Sequence, residues 1–331
     1  MIVGQLGTTD AAAIERALEA TNAFGVLAGC VVCEKINAIG TIMRAYAGAA
    51  DLRTMQELTQ RVWSPASPHH VGDLAWGRFM YTPELADWPI ALWEDGDRVV
   101  AWGWAHFPDE LKLQVDPARG ELVDDVLAWF DELAEGGVRE LDVLDNQVVL
   151  REALVRHGYE RQEDAPYFAH HARSLLDLPK PELPESFTAR AIRGEEDLAN
   201  RVAVHQKAWN STRVTAQSYR DIMAAWPYRS ELDWVVEAPD GEFVANCHIW
   251  YDDGNRVGLI EPVGTVPDFR RCGLSRAVCL AALHVLREAG AGLAVVSPRG
   301  DEAYPIAQTL YRSIGFRLYA CTHTYVKKDS A

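Results

Sequence analysis

With 331 residues, 48% of them hydrophobic and 24% charged, the chain holds enough apolar material for two ordinary cores. That excludes a disordered chain and a scaffold that depends on disulfides. Its 48 acidic against 32 basic side chains give a formal net charge of −16, which disfavours nucleic-acid and anionic-membrane partners and obliges any anionic ligand to find a local basic pocket.

No apolar run is long enough to span a bilayer, the first basic residue is Arg16, and the chain reads as cytoplasmic. Residues 1–42 have no counterpart further along and form an N-terminal extension of uncertain origin; Met43 is an expected native start. Cys30 and Cys33 stand at thiol-pair spacing, but zinc wants four ligands and no second pair follows, so no metal is expected.

An internal repeat organises the rest. RAYAGAADLRTMQELTQRVW at 44–63 aligns without a gap to RAIRGEEDLANRVAVHQKAW at 190–209. Arg44 and Arg190, Gly48 and Gly194, Asp51 and Asp197, Leu52 and Leu198, and Trp63 and Trp209 fall in register. Each block reads as a short strand, a turn and a helix, so two similar domains are expected. The first occupies 43–175: strands at 89–93, 99–106 and 111–115, a helix over 121–133, a strand at 141–144, and a helical piece that ends at His157-Gly158-Tyr159. His69-His70 and His170-His171 read as solvated pairs. The linker 176–186 carries Pro179, Pro181 and Pro184, which favour an extended path.

The second domain, 187–331, opens with an antiparallel meander of strands at 232–238, 243–251 and 257–266. A helix over 274–289, a buried strand at 293–296, a helix over 306–313 and a final strand region through 326 complete it. Between meander and helix lies GLIEPVGTVPDFRRCGLSRAV at 258–278. A helix start offers free backbone N–H groups and partial positive charge. Gly273 removes the side chain that would block a ligand, and Arg270, Arg271 and Arg276 add charge. This is a pyrophosphate site in an acidic chain. Pro262, in mid-strand, argues for a bulge or an opening whose unpaired amides suit an extended amide-bearing ligand.

Arg270, Gly273 and Ser275 fill the three marked positions of an Arg/Gln-x-x-Gly-x-Gly/Ala loop, with Ser in place of the usual small residue. Ala307, Tyr311, Gly315 and Phe316 fill an Ala-x-x-x-Tyr-x-x-x-Gly-Phe block. With these two blocks the second half resembles the GNAT superfamily of acyl-CoA-dependent N-acyltransferases. Residues 43–173 resemble it in architecture only, with Arg119-Gly120 as a remnant of the loop and Leu154 where Tyr311 stands. Tyr304 departs from the Asn that the family often carries.

The resemblance implies an α/β (α+β) fold of two GNAT-like domains in tandem, each a mixed central sheet flanked by helices, with the first half degenerate and non-catalytic. It implies acetyl-CoA, or another short acyl-CoA, as co-substrate. The amides of Arg271, Cys272, Gly273, Leu274, Ser275 and Arg276 would hold the pyrophosphate, and backbone around Val263, Thr265 and Val266 the pantetheine and acyl portions. Tyr311 is the expected general acid for the leaving thiolate. Glu261, taken to share strand parity with Val263 and Thr265, is the expected base. Trp209, Trp226, His248 and Tyr251 are expected to shape the acceptor pocket. The expected reaction is direct attack of a small-molecule primary amine on the thioester. An acyl-CoA-binding sensor without turnover is the alternative, and the oligomeric state is not readable.

Overall fold

A computed structural model describes residues 35–36, 40–80, 88–134 and 137–328. Cys30, Cys33 and most of the 1–42 extension lie outside the described residues. The first half runs β1 (Lys35–Ile36), β2 (Ile42–Ala45), α1 (Ala49–Val62), α2 (Val71–Phe79), β3 (Ile90–Asp95), β4 (Arg98–His106), β5 (Glu110–Val115), α3 (Leu122–Leu133), β6 (Val138–Leu144), α4 (Val148–Arg156) and β7 (Glu160–Arg161). The second runs β8 (Ala169–Ser174), β9 (Thr188–Ala191), α5 (Leu198–Trp209), α6 (Ala216–Ala224), β10 (Asp233–Glu237), β11 (Phe243–Asp252), β12 (Val257–Thr265), α7 (Leu274–Glu288), β13 (Leu293–Val296), α8 (Pro305–Ser313) and β14 (Arg317–Lys328).

Two compact units result, and they exchange segments across the sequence-drawn bounds. Among the described residues, 70–80 and 168–320 form one; 40–69, 88–167 and 321–328 form the other. In the second-half unit β9, β10, β11 and β12 pair antiparallel in that order. Then β12 pairs parallel with β13, and β13 pairs antiparallel with β8. In the first-half unit β1 to β5 form an antiparallel series. β5 meets β6 in parallel at Glu110↔Glu140, and β6 takes residues 322–328 of β14 as its antiparallel neighbour. Both sheets are mixed and helix-covered. The linker makes no regular pairing, but Leu178 and Leu183 rest on the second-half core and His284 Nε2 donates to the Pro179 carbonyl at 2.9 Å.

The repeat has a physical basis. Arg44 bridges Asp51 and Glu94, and the Ala47 N–H donates to Asp51. Arg190 bridges Asp197 and Glu237, and the Arg193 N–H donates to Asp197. In each unit the arginine ties the opening strand to its neighbour and to the start of the following helix. Asp197 is held well below the usual carboxylate range by Arg190 and Arg193, which overcome the opposing effect of its burial.

The histidine pairs do not sit in solvent. His70, His170 and His171 are buried, and the half-buried His69 donates from Nε2 to the Leu113 carbonyl, 3.1 Å away, and lies near Trp102. His70 opens α2, a helix that the run of polar and small residues around it had concealed.

Candidate active site

The site grows from the edge between β12 and β13. Their pairing runs Val257↔Leu293, Gly258↔Ala294 and Leu259↔Val295, and among the described residues it ends there. From Ile260 onward β12 therefore leaves its parallel neighbour and follows β11 alone. On the β11 side the register slips: Ile249 faces Ile260 while Cys247 faces Val263, so Glu261 and Pro262 together oppose His248. This is a bulge at the predicted proline, and it interrupts the ladder beside the opening.

The bulge corrects the expected parity. Ile260, Val263, Cys247 and Ile249 all belong to the core beneath α7. Thr265 is on that face too, since its hydroxyl bonds to that of Ser275 at the start of α7. With one extra residue between Ile260 and Val263, Glu261 points to the other face, where it interacts with Asp73, His70 and His248. Tyr251 is corrected by simple alternation along β11. It is three residues from His248, so it falls on the α7 side, beneath the Arg229 guanidinium at 4.8 Å, and not on the acceptor side.

The loop after β12 leads into a helix start that faces open space. Pro267–Phe269 form a short 3₁₀ turn, Arg271 and Gly273 take positive φ of 66° and 78°, and Gly273 caps α7. The Ala277 N–H donates to the Gly273 carbonyl at 3.0 Å, the first turn of α7. The amides before it lack intrahelical acceptors, as at any helix start. A Cβ built on Gly273 would meet nothing within 4 Å, so the backbone there faces open space. Arg270 has a different role from its neighbours: its guanidinium donates to the Thr265 carbonyl at 3.2 Å and the Ala208 carbonyl at 3.1 Å. It braces the loop against α5, whereas Arg271 and Cys272 are exposed. In the first half Arg119 bonds to Asp95, Glu121 and Thr41, so that remnant is already neutralised and is no counterpart site.

Tyr311, on α8, is buried at 6% exposure and lies in the same core as Cys247, Cys279, Leu274 and Val278. Burial drives its hydroxyl well above the ordinary tyrosine range, with Cys279, Cys247 and Glu261 adding to the effect, so the proton stays on. Tyr311 and Glu261 thus lie on the two faces of the sheet beside the opening.

On the Glu261 face a polar wall lies buried between β11 and α5. His248 and Trp250 stack at 4.3 Å, Tyr228 meets His248 edge-on at 5.1 Å, and Trp76, His205 and Trp209 continue the aromatic row. Arg201 Nε donates to Asp233 at 2.8 Å, both fully buried, and the Tyr219 and Tyr228 hydroxyls also donate to Asp233. Among the described residues, both His248 ring nitrogens, the Asn246 amide, the Trp209 and Trp250 indole N–H groups and two Arg201 nitrogens are buried without a hydrogen-bond partner. Burial lowers His248 to about 4, so it is neutral. Trp226 precedes a cis peptide to Pro227 ahead of this wall.

Sequence reasoning overlooked Asp73, whose carboxyl meets Glu261. Its signal was the His70-x-x-Asp73 spacing ahead of the apolar Leu74, Ala75 and Trp76.

Comparisons with known proteins agree with this geometry. Residues 201–316 match the model of the acetyltransferase (GNAT) family. A mycothiol acetyltransferase from Rhodococcus erythropolis is 27% identical over 276 residues, covering 70% of this chain and 82% of its own length. One from Rhodococcus jostii is 26% identical, covering 70% and 81%. Among solved structures, a tandem GNAT protein from the clavulanic acid biosynthesis pathway superposes with a TM-score of 0.60 at 16% identity, covering 88% of this chain and 99% of its own. A GCN5-related N-acetyltransferase from Sphaerobacter thermophilus gives 0.59 at 17% identity, covering 87% and 95%. Among the described residues no helix is long and apolar enough to cross a membrane. Residues 201–316 carry a GNAT-family acetyltransferase domain, whose co-substrate is acetyl-CoA, and the chain as a whole has the fold of a tandem GNAT protein.

Proposed function

We propose that this chain transfers the acetyl group of acetyl-CoA to a primary amine of a small polar molecule by direct attack, and that the second-half unit carries the whole reaction. The observation that carries this reading is the opening of β12 away from β13 after Leu259, with Glu261 and Tyr311 beside it and the Gly273-capped helix at its end. The amides of 271–276 take the pyrophosphate, and the free edge of β12 around Val263, Thr265 and Val266 takes the amides of the pantetheine arm. A β12 N–H polarises the thioester carbonyl.

The substrate amine arrives as an ammonium and gives one proton to Glu261 through water. The neutral nitrogen attacks the carbonyl carbon, a C–N bond forms and the C–S bond breaks. Tyr311 protonates the departing sulfur. The nitrogen loses its second proton, and one of the two protons restores Tyr311 while the other leaves to solvent. The products are the amide, CoA thiol and one released proton.

The donor-rich wall of His248, Trp250, Trp209, Asn246 and Arg201 favours an acceptor with several oxygen atoms, which would satisfy groups now lacking partners. The relatives named mycothiol acetyltransferase support a small-molecule acceptor. A panel of polyamines, amino sugars, amino alcohols and amino-acid amides, assayed for acetyl-CoA-dependent mass gain, tests the reading. Turnover of oxygen-rich amines supports it; thioester consumption only with protein or peptide amines contradicts it.

A further inference from the structure

Helix α2 belongs by sequence to the first half, yet it packs in the second-half unit. A Cβ on Gly72 would lie 2.3 Å from Trp250, so only glycine lets this helix ride directly on the β11 face that carries His248 and Trp250. The helix start is tightly fixed. The Gly72 N–H donates to His70 Nδ1 at 3.1 Å, which leaves the imidazole proton on Nε2, directed at the Val257 carbonyl at 3.4 Å. The His70 N–H donates to Asp73 Oδ2 at 2.6 Å. This reciprocal box locks the Asp73 carboxyl in the first turn, near Glu261, itself only 6% exposed.

Two carboxyls within hydrogen-bond reach do not both carry charge at neutral pH. Burial and the charge of Glu261 push Asp73 up to about 8, while the His70 N–H opposes the rise. Tyr319 also faces Asp73, and Asp252 and Glu261 face the His70 ring, which burial lowers to about 4. Asp73 thus holds a proton that it can donate.

We infer that Asp73 is a positioning residue for acetyl transfer: delivered by a helix from the first half, it donates a hydrogen bond to Glu261 and holds that carboxylate in place to accept the amine proton. The inference rests on Glu261 as the base. It also gives the first half a part in the reaction without an active site of its own.

The test uses the full chain and the best acceptor from the amine panel. Asp73→Ala removes the donor, and kcat should fall at least about tenfold while acetyl-CoA affinity, read by calorimetry, holds. Asp73→Asn can still accept from His70 and donate to Glu261, so it should restore most of the lost kcat. A second, acceptor-free measurement is the melting temperature of Asp73→Asn against wild type across pH. Native Asp73 keeps its proton up to about 8, whereas the unfolded chain releases it near the ordinary aspartate value, so wild type loses stability as pH rises through that window. The advantage of Asn should therefore grow from about pH 5 to about pH 8. Normal kcat in Asp73→Ala, or a flat melting difference where that variant fails to fold, overturns the inference. Glu261→Gln separates the two claims: if it is inactive while Asp73→Ala is normal, the base reading stands and Asp73 falls; if it is fully active, the base reading itself falls.

Discussion

Tyr311→Phe separates chemistry from packing at the residue where the two are most entangled. The ring lies 5.8 Å from Phe316, edge-on, inside the core that joins α7, α8 and β11. Phenylalanine keeps that ring and nearly all its volume, so folding stability should change by less than about 1.5 kcal/mol. Loss of a general acid costs on the order of a hundredfold in rate, equivalent to about 2.7 kcal/mol of barrier. Because burial keeps the hydroxyl protonated well above the ordinary range, the deficit should persist unchanged across neutral and mildly alkaline pH. The assay is release of CoA thiol under conditions where chemistry limits turnover, alongside a thermal melt and acetyl-CoA calorimetry. A near-wild-type rate in a folded variant would refute the acid role and leave Tyr311 as packing.

Other consequences follow from particular contacts. Gly273→Asn and Gly273→Glu both put a side chain into the open space at the head of α7, but Asn tolerates the left-handed backbone there. Both should weaken CoA binding at least about tenfold, with only Glu also lowering the melting temperature; unchanged affinity in the Asn variant would reject the backbone approach. Asp233→Ala leaves the fully buried Arg201 without its counter-charge and should cost about 3–5 kcal/mol in urea unfolding; a cost below about 1 kcal/mol would mean the pair is not buried. In the first-half unit, burial and the nearby Asp142, Asp109 and Glu110 push Glu140 up to about 7. Its native proton is retained while the unfolded chain releases one, so stability falls as pH rises from its ordinary value toward 7. Glu140→Gln should melt higher than wild type at about pH 8 and equally at about pH 4.5; a pH-independent difference would contradict that.

Much of the site was legible because local chemistry dictates it. A proline in mid-strand removes a ladder donor, and the bulge lies at Glu261-Pro262. A glycine ahead of an apolar helical period forms the cap at Gly273. The repeated Arg and Asp recur because each unit needs the same ion pair at its first strand and helix. What failed were inferences that needed registration. Counting residues along β12 put Glu261 beside Val263, yet a bulge resets the alternation and sends the carboxylate to the other face. Tyr251 failed on simple alternation, being an odd number of residues from His248. The exchange of segments was not legible, since nothing in 70–80 or 322–328 signals that its neighbours lie more than a hundred residues away. α2 was missed, since its one signal, the capping pattern at His70 and Asp73, lies among polar neighbours.

Hydrogen exchange followed by mass spectrometry, with and without acetyl-CoA, bears most directly on the claim that the second half alone holds the co-substrate. The account predicts protection concentrated in peptides covering the freed edge of β12 and the loop through 276, where the amides have an open approach. The loop at 116–120, whose arginine is neutralised by Asp95 and Glu121, should exchange identically in both states. Protection at 116–120, or none over 260–276 at saturating acetyl-CoA, would contradict it.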